Sequence, residues 1–489
     1  MLTAVFALYF ALTLGLGLWQ ATRTKSQKDF VIGGSKLPGW MLALSERATG
    51  ESAWLLLGFT GLVYGTGLAS VWVAVGCLSG ICTAWIVLAR KFREEAERHF
   101  AITMPEYFSA KFPSHAATIR LLSTVIIVFF FVFYVGAQFA GAGKTIFVTF
   151  GVDPFWGQIV SCAVILAYAT LGGFVSVVAV DAFQAILMIT TLVVTPVVML
   201  AKVAAGPVSL SRALAAAGPG VDSWTGGVGG FAAGLLIFNH FAWFFGYLGG
   251  QPQLNARFMG MRDDRQVRIG RNLAVGWTLV AYVGAVLIGL CAIPLFGRGA
   301  VADQEMILPT VLSGLFPPWL AGILLAGAVA AMVSTAESML IVAGSSISQD
   351  VYNGILRKGR ASDRTLLAVS RVATLAVGIL GLALALTTDR LVYNIVSYAW
   401  AGIGCSFAPA ILLSFYWRRF GGRGVVTALV MGLLTTVVWI STGLDRTVTA
   451  MAVTFFVAIG SAALVTLLAA EPPSPPPGTS AGTGSGSEP

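Results

Sequence analysis

The sequence predicts an all-α integral membrane protein, and three observations carry that reading. Hydrophobic residues make up 57% of the 489 positions and charged residues only 10%, against about 25% charged in a soluble domain. The apolar residues gather into runs near the roughly 20 that a helix needs to cross a bilayer. The basic residues gather between alternate runs, which is the mark of membrane orientation.

The runs can be taken in order. Residues 2–20 form the first. It lacks a basic n-region and an Ala-x-Ala cleavage site, so it reads as a retained helix and not a signal peptide. Residues 37–64 follow, apolar but interrupted by Ser45-Glu46-Arg47-Ala48-Thr49-Gly50-Glu51-Ser52. Further runs occupy 70–90, 118–147, 155–173, 178–202, 229–250, 273–297, 318–348, 366–387, 392–416, 424–442 and 448–470. The total is about 13 transmembrane helices by the length a bilayer demands. The tail 471–489 is rich in Pro, Gly and Ser and reads as disordered.

The net charge of +9 raises the question of nucleic acid, but its distribution answers it. The loops at 22–37, 90–120, 251–272, 349–371 and 417–424 hold 23 of the 30 basic residues, and the opposite side holds six. The positive-inside rule then puts the N-terminus outside and the C-terminus in the cytoplasm. The charge is an orientation signal, and no nucleic-acid partner is expected. Enzyme chemistry is also poorly supplied. There are three histidines (His99, His115, His240), and five cysteines, all in apolar segments without zinc-ligand spacing. His240 reads as a satisfied polar residue of the bundle. No nucleophile–base pair, metal cluster or phosphate loop is visible, so the chain is expected not to be an enzyme and to need no cofactor.

Two runs contain breakers. The second has Gly50 near its middle; the seventh ends in Gly246, Gly249, Gly250 and Pro252. They lie five runs apart and, by the topology above, run in opposite directions. Paired interruptions in inverted halves point to the binding site of a secondary transporter, since broken backbone at membrane depth must be buried in protein or line a cavity. The plainer alternative is that glycines let helices approach closely. In the ninth run, Ala331, Ser334 and Thr335 fall at i, i+3 and i+4 and share one helical face. Two hydroxyls and a carbonyl are hard neutral ligands for a small cation. The alternative is that the hydroxyls bond back to their own helix.

Several motifs in this order resemble a known family. They are Ser52-Ala53-Trp54-Leu55-Leu56-Leu57-Gly58-Phe59-Thr60-Gly61; Leu171-Gly172-Gly173-Phe174 with Asp181, Gln184-Ala185 and Thr195-Pro196; Gly246-Tyr247-Leu248-Gly249-Gly250-Gln251-Pro252 with Ala256-Arg257-Phe258-Met259; and Ser334-Thr335 with Ser345-Ser346 and Asp350-Val351-Tyr352. From about Asp29 to Arg360 the chain resembles the sodium:solute symporter family, and within it the sodium/proline symporters.

The resemblance implies a 5+5 inverted-repeat, leucine-transporter-like core. Residues 1–36 would hold the first helix and a cytoplasmic loop, 37–203 the first repeat (helices two to six), 204–416 an outer loop and the second repeat (helices seven to eleven), 417–470 two C-terminal helices, and 471–489 the tail. It implies sodium at the carbonyls of Ala48, Glu51 and Ala331 and the hydroxyls of Ser334 and Thr335. It implies a substrate pocket at Ser52, Ala53, Tyr134, Trp243 and Tyr247. Glu51 and Asp181, as acidic residues within the spans, are candidate coupling residues. Trp243 and Tyr247, at i and i+4, make one aromatic wall, although two aromatics at that spacing are commonly core.

The chain departs from the proline symporters where they carry an aspartate. Here that position is Gly50, while Glu51 replaces a neutral neighbour and Glu46 and Arg47 are added. Glu46 and Arg47 are read as lying near the cytoplasmic mouth, where snorkelling lowers their cost. Glu51 lies deeper, and Glu337 on the ninth helix is a further charge. The expected activity is sodium-coupled uptake of proline or a similar small amino acid by alternating access in the cell membrane. The partners would be that solute, sodium ion and membrane lipid. The alternatives are sodium- or proton-coupled symport of another small organic solute and, with less support given the short tail, a membrane sensor.

Overall fold

The computed structural model describes residues 1–21, 31–32, 37–388 and 390–468. The basic segment carrying Arg23, Lys25, Lys28 and Lys36, and the tail 471–489, lie outside the described residues. Among the described residues every regular element is helical, with no strand. Among the described residues nine stretches are long and apolar enough to cross a membrane, and three shorter apolar helices accompany them at Leu2–Gly17, Pro154–Ala167 and Gly230–Gly246.

The longest stretch, Gly39–Arg98, has 60 residues, about 90 Å of helix at 1.5 Å per residue, where the hydrocarbon core is about 30 Å thick. It therefore has to turn, and it does so at Gly67, whose φ is +79°. A Cβ there would also sit 2.1 Å from the Val221 carbonyl oxygen, so both the backbone conformation and the space require glycine. The helix Pro154–Ala204 breaks in the same way at Gly173, with φ +70°. That break falls where the two runs 155–173 and 178–202 were separated in the sequence.

Eight helices build or support the centre. They are α1 (Gly39–Ala53), α2 (Ala116–Phe150), α3 (Pro154–Ala204), α4 (Gly230–Phe241), α5 (Pro252–Met259), α6 (Asp264–Phe296), α7 (Pro318–Ser345) and α8 (Val392–Tyr416). The most apolar windows of the stretches containing α7 and α8 are 83% buried, against 33% for Gly422–Ser441 and Ala450–Leu468. The former are central and the latter form the rim. Small residues permit the close packing of α7: a Cβ on Gly327 would lie 2.6 Å from the Leu187 carbonyl oxygen of α3. At the same contact the Thr191 hydroxyl donates to the Leu324 carbonyl at 2.8 Å. In a bilayer, backbone approach of this kind replaces the hydrophobic drive that lipid removes.

Two central helices are capped at their starts, α6 by the residue before it and α8 from elsewhere in the chain. Asp263 begins α6 by accepting the Gln266 backbone N–H at 2.9 Å. That bond, and the Arg262 guanidinium beside it, hold its carboxyl below the usual carboxylate range. Glu305, wholly buried, accepts the backbone N–H groups of Val392 and Tyr393 at 2.9 and 2.8 Å and pairs with Lys144 at 2.6 Å. An acidic side chain at a helix N-terminus satisfies two orphan donors and the helix dipole together. It anchors the start of α8.

Candidate functional site

The site begins at a break in the second apolar run, and the break is not at Gly50. Gly50 is helical; Ser52 has φ +20° and ψ −170°, a conformation that costs a non-glycine residue on the order of 1–3 kcal/mol. Its surroundings hold it there. The Tyr134 hydroxyl donates to Ser52 Oγ at 3.1 Å, and Ser52 Oγ in turn accepts the Trp54 N–H at 3.0 Å. The Ala53 N–H donates to Gln138 Oε1 at 2.9 Å. Ser52, Ala53 and Tyr134, named from the sequence, are thus brought together, with Gln138 as a partner that the sequence reading did not single out.

One turn before the break, α1 meets the small-residue face of α7. Ser334 Oγ donates to the Ala48 carbonyl at 3.0 Å and approaches the Ala331 carbonyl at 3.1 Å. Thr335 Oγ1 donates to the Thr49 carbonyl at 2.9 Å. All of these residues are buried. The structure therefore gathers Ala48, Ala331, Ser334 and Thr335. The Glu51 carbonyl is instead occupied by the Trp54 N–H, and the Thr49 carbonyl stands in the set in its place. A cluster of neutral oxygens with no carboxylate among them suits a hard monovalent cation.

Trp243 and Tyr247 both belong to a buried aromatic cluster larger than the two residues read from spacing. Trp243 packs on Trp54 with ring centroids 4.3 Å apart, Tyr247 packs on Trp400 at 4.1 Å, and Trp243 and Trp400 lie 6.0 Å apart. Trp243 Nε1–H donates to the Tyr393 hydroxyl at 3.2 Å. Tyr247 and Tyr282 bring their hydroxyls to 3.3 Å. The wall follows the end of α4, where the chain unwinds through Gly249 at φ +75° before α5 begins at Pro252.

Two buried charge clusters flank this centre. In the first, Arg47 makes a two-pronged pair with Glu46 and donates to Glu51 at 2.8 Å and to the Thr278 hydroxyl at 3.2 Å. Trp85 donates to Glu46 at 3.0 Å and Tyr282 to Glu51 at 2.9 Å. Glu46 and Arg47 are 1% and 0% exposed, which corrects their expected place at the cytoplasmic mouth. Two carboxylates compensate one guanidinium, so neither side chain has to reach water. The i−4 pairing of Arg47 with Glu51 holds because α1 stays helical through Gly50.

In the second cluster, Asp181 of α3 pairs with Arg257 of α5 at 3.1 Å and accepts the Ser45 hydroxyl at 2.6 Å. Arg257 also donates to Ser338 at 2.6 Å and Thr49 at 3.1 Å. Glu337 lies within electrostatic reach of the same guanidinium. The charge distribution puts Arg257 among the basic residues of a cytoplasmic loop; it is instead fully buried. Its flanks, Ala256 and Phe258-Met259, are the apolar signal that could have shown this. His240 has its ring Nδ1 2.9 Å from the Ala69 carbonyl oxygen, the satisfied polar role expected of it.

Comparison with known proteins follows this geometry. The family model for the sodium:solute symporter family matches residues 30–432. The osmoregulated proline transporter OpuE of Bacillus subtilis is 32% identical over 443 residues, covering 90% of this chain and 88% of its own. The sodium/proline symporter of Escherichia coli is 33% identical over 433 residues, covering 87% of this chain and 84% of its own. Among solved structures, a Na+-coupled sialic acid symporter in a substrate-bound outward-open state superposes with a TM-score of 0.80 at 18% identity, covering 97% of this chain and 98% of its own. That likeness shows a shared fold. With the family model spanning most of its length, this chain belongs to the sodium:solute symporter family.

Proposed function

We propose that the chain is a secondary active transporter that couples sodium entry to uptake of proline or a similar small amino acid by alternating access. The observation that carries this is the meeting of α1 and α7. A face of hydroxyls, Ser334 and Thr335, lies against the carbonyls of Ala48 and Thr49 one turn before a break at Ser52, and the aromatic wall begins directly after it. Sodium would lie among the oxygens of Ala48, Ala331, Ser334 and Thr335, with the backbone of Glu51 or Thr49 completing the set. The solute would lie against Ser52, Ala53, Tyr134, Trp243 and Tyr247. The names of the relatives support proline as the solute. A flat aromatic wall beside a polar break suits a small ring with charged ends.

The finer architecture belongs to the same proposal. We infer about 13 crossings in a 5+5 inverted repeat divided at 37–203 and 204–416, with the N-terminus outside and the C-terminus in the cytoplasm. The breaks at Ser52 and Gly249, on paired runs, support the repeat. The orientation keeps its basis without Arg257, since Arg262, Arg265, Arg268 and Arg271 remain in that loop. Glu51 and Asp181 would act in coupling: each is a buried acidic residue, Glu51 three residues after Ala48 on α1 and Asp181 with its carboxylate 3.4 Å from the Thr49 hydroxyl. The Glu46–Arg47–Glu51 cluster favours one second reading, symport of another small organic solute coupled to sodium or protons, because it places two carboxylates where the sodium/proline symporters were read to carry one. The test is uptake of a panel of radiolabelled solutes into proteoliposomes with and without an inward sodium gradient. Sodium-driven accumulation of L-proline is the expected result; accumulation independent of sodium would refute it.

A further inference from the structure

The aromatic wall and the charge cluster around Arg47 meet at one residue that belongs to neither the ion face nor the solute pocket. Tyr282 of α6 is buried, its ring centroid 6.1 Å from that of Trp54 and 6.0 Å from that of Phe59. Its hydroxyl donates to Glu51 Oε2 at 2.9 Å and lies 3.3 Å from the Tyr247 hydroxyl. The other carboxylate oxygen, Glu51 Oε1, accepts from Arg47 at 2.8 Å. Tyr282 therefore links the Glu51 carboxylate to the wall by hydrogen bonds. It joins the unwound end of the seventh run, where Tyr247 stands, to the broken second run.

The protons along this chain have a forced order. A phenol has one proton to give. Tyr282 gives its proton to Glu51, so between the two hydroxyls Tyr247 is the donor. Tyr247 has two acceptors in reach, the Tyr282 oxygen at 3.3 Å and the Gly50 carbonyl at 3.5 Å. That carbonyl lost its helical partner at the break. The Trp54 N–H, which would reach it in an unbroken helix, goes to the Glu51 carbonyl and to Ser52 Oγ. Both Tyr247 contacts are long for a bond between oxygens, so its proton is divided between them and given firmly to neither.

A solute with an ammonium group shifts that division. The ammonium donates to the Gly50 carbonyl and leaves Tyr247 only the Tyr282 oxygen. Hydrogen bonds in a chain polarise one another, so Tyr282 becomes the stronger donor and keeps the Glu51 carboxylate charged and in place. Glu51 follows Ala48 by three residues on α1, and its charge favours a cation at the Ala48 carbonyl. We propose that Tyr282 is a positioning residue that couples the two sites, relaying occupancy of the solute pocket from Tyr247 to Glu51 and so to sodium. This rests on the reading of the chain as a sodium-coupled amino-acid symporter and deepens it. By linkage the chain works in both directions: sodium tightens the solute by the factor with which the solute tightens sodium.

The experiment measures binding of radiolabelled L-proline to the purified protein, once at saturating sodium and once with choline in its place. The ratio of the two dissociation constants is the coupling factor. Tyr282→Phe keeps the ring and removes the hydroxyl. It should lower the coupling factor about tenfold, the size of one hydrogen bond to a charged group. The sodium-free dissociation constant should stay within about twofold of wild type, because the lost bond is not one to the solute. An unchanged factor, or an equal weakening with and without sodium, overturns the proposal, the second by assigning Tyr282 to packing alone. In a Glu51→Gln background, where the charge is already gone, Tyr282→Phe should leave the factor within about twofold. A further tenfold fall there would mean that Tyr282 acts by another route, and also overturns it. A measurement on the wild-type protein avoids any folding defect. At saturating sodium, the infrared carboxylate band that Glu51→Gln abolishes should shift when L-proline is added; a band that stays fixed refutes the relay. If the wild-type protein binds a different amino acid, the proline reading alone fails, and that acid replaces L-proline in each measurement. If wild-type solute affinity does not respond to sodium, the symporter reading fails and the relay with it. If it responds and Tyr282→Phe responds equally, the relay alone fails.

Discussion

Replacing Glu51 by glutamine removes one charge from the cluster around Arg47 and little else. The amide keeps the shape, an acceptor for the Arg47 guanidinium now at 2.8 Å, and a polar group toward the Tyr282 hydroxyl now at 2.9 Å. Folding should tolerate the change. Arg47 retains its two-pronged pair with Glu46, and the cluster passes from two carboxylates and one guanidinium to one of each. Truncating Arg47 would do the opposite, leaving two buried carboxylates unpaired at a cost of about 3–5 kcal/mol. The effect on coupling follows from distance. Glu51 lies three residues beyond Ala48, about 4.5 Å along the helix axis, which puts its carboxylate about 7 Å from an ion at the Ala48 carbonyl. At an effective dielectric constant of about 20 that charge contributes about 2.4 kcal/mol to holding a monovalent cation, or about 50-fold in affinity. Glu51→Gln is therefore expected to raise the sodium concentration for half-maximal L-proline uptake by one to two decades in proteoliposomes, with little change in thermal stability in detergent. If the dependence of uptake on sodium and on pH is unaltered, the side chain has no part in coupling, and the electrostatic argument is wrong.

Three further outcomes are expected. Ser334→Ala combined with Thr335→Ala removes both hydroxyls from the face of α7 and should raise half-saturating sodium by more than about tenfold; sodium titration of uptake by the correctly inserted double variant checks this, and an unchanged curve refutes the ion site. Trp243→Ala and Tyr247→Ala should each weaken solute binding more than sodium binding measured alone, because their rings pack on Trp54 and Trp400 and not on the hydroxyl face; wild-type half-saturation for the solute in both would reduce them to core. Arg257→Met strands Asp181 in the interior and should destabilise the protein by about 3–5 kcal/mol, seen as a lower thermal midpoint in detergent. Adding Asp181→Asn should recover part of that loss, and no recovery would mean that the pair is not the reason for it.

The length and polarity of each run were decided locally, by what a hydrocarbon layer permits, so the membrane class and the approximate runs were readable from the sequence. The shared face of Ala331, Ser334 and Thr335 was readable for the same reason, since a 3.6-residue period fixes which side chains of one helix lie together. The family motifs added the other helices of the site. What crosses between distant segments was not readable. The break falls at Ser52 and not at Gly50 because Tyr134, 82 residues away, holds the Ser52 side chain in a strained turn, while nothing demands that Gly50 leave the helix. A lone charge in a span has to reach solvent, which puts Glu46 and Arg47 at a watery mouth when the sequence is read alone; they are buried because Trp85 and Thr278 complete their hydrogen bonds from other helices and Glu51, itself held by Tyr282, shares the guanidinium. Arg257 has the sequence pattern of one more basic loop residue, yet Asp181, 76 residues earlier, lies against it. A charge counts toward membrane orientation or toward an interior cluster according to its partner, and only the tertiary structure decides which partner a side chain meets.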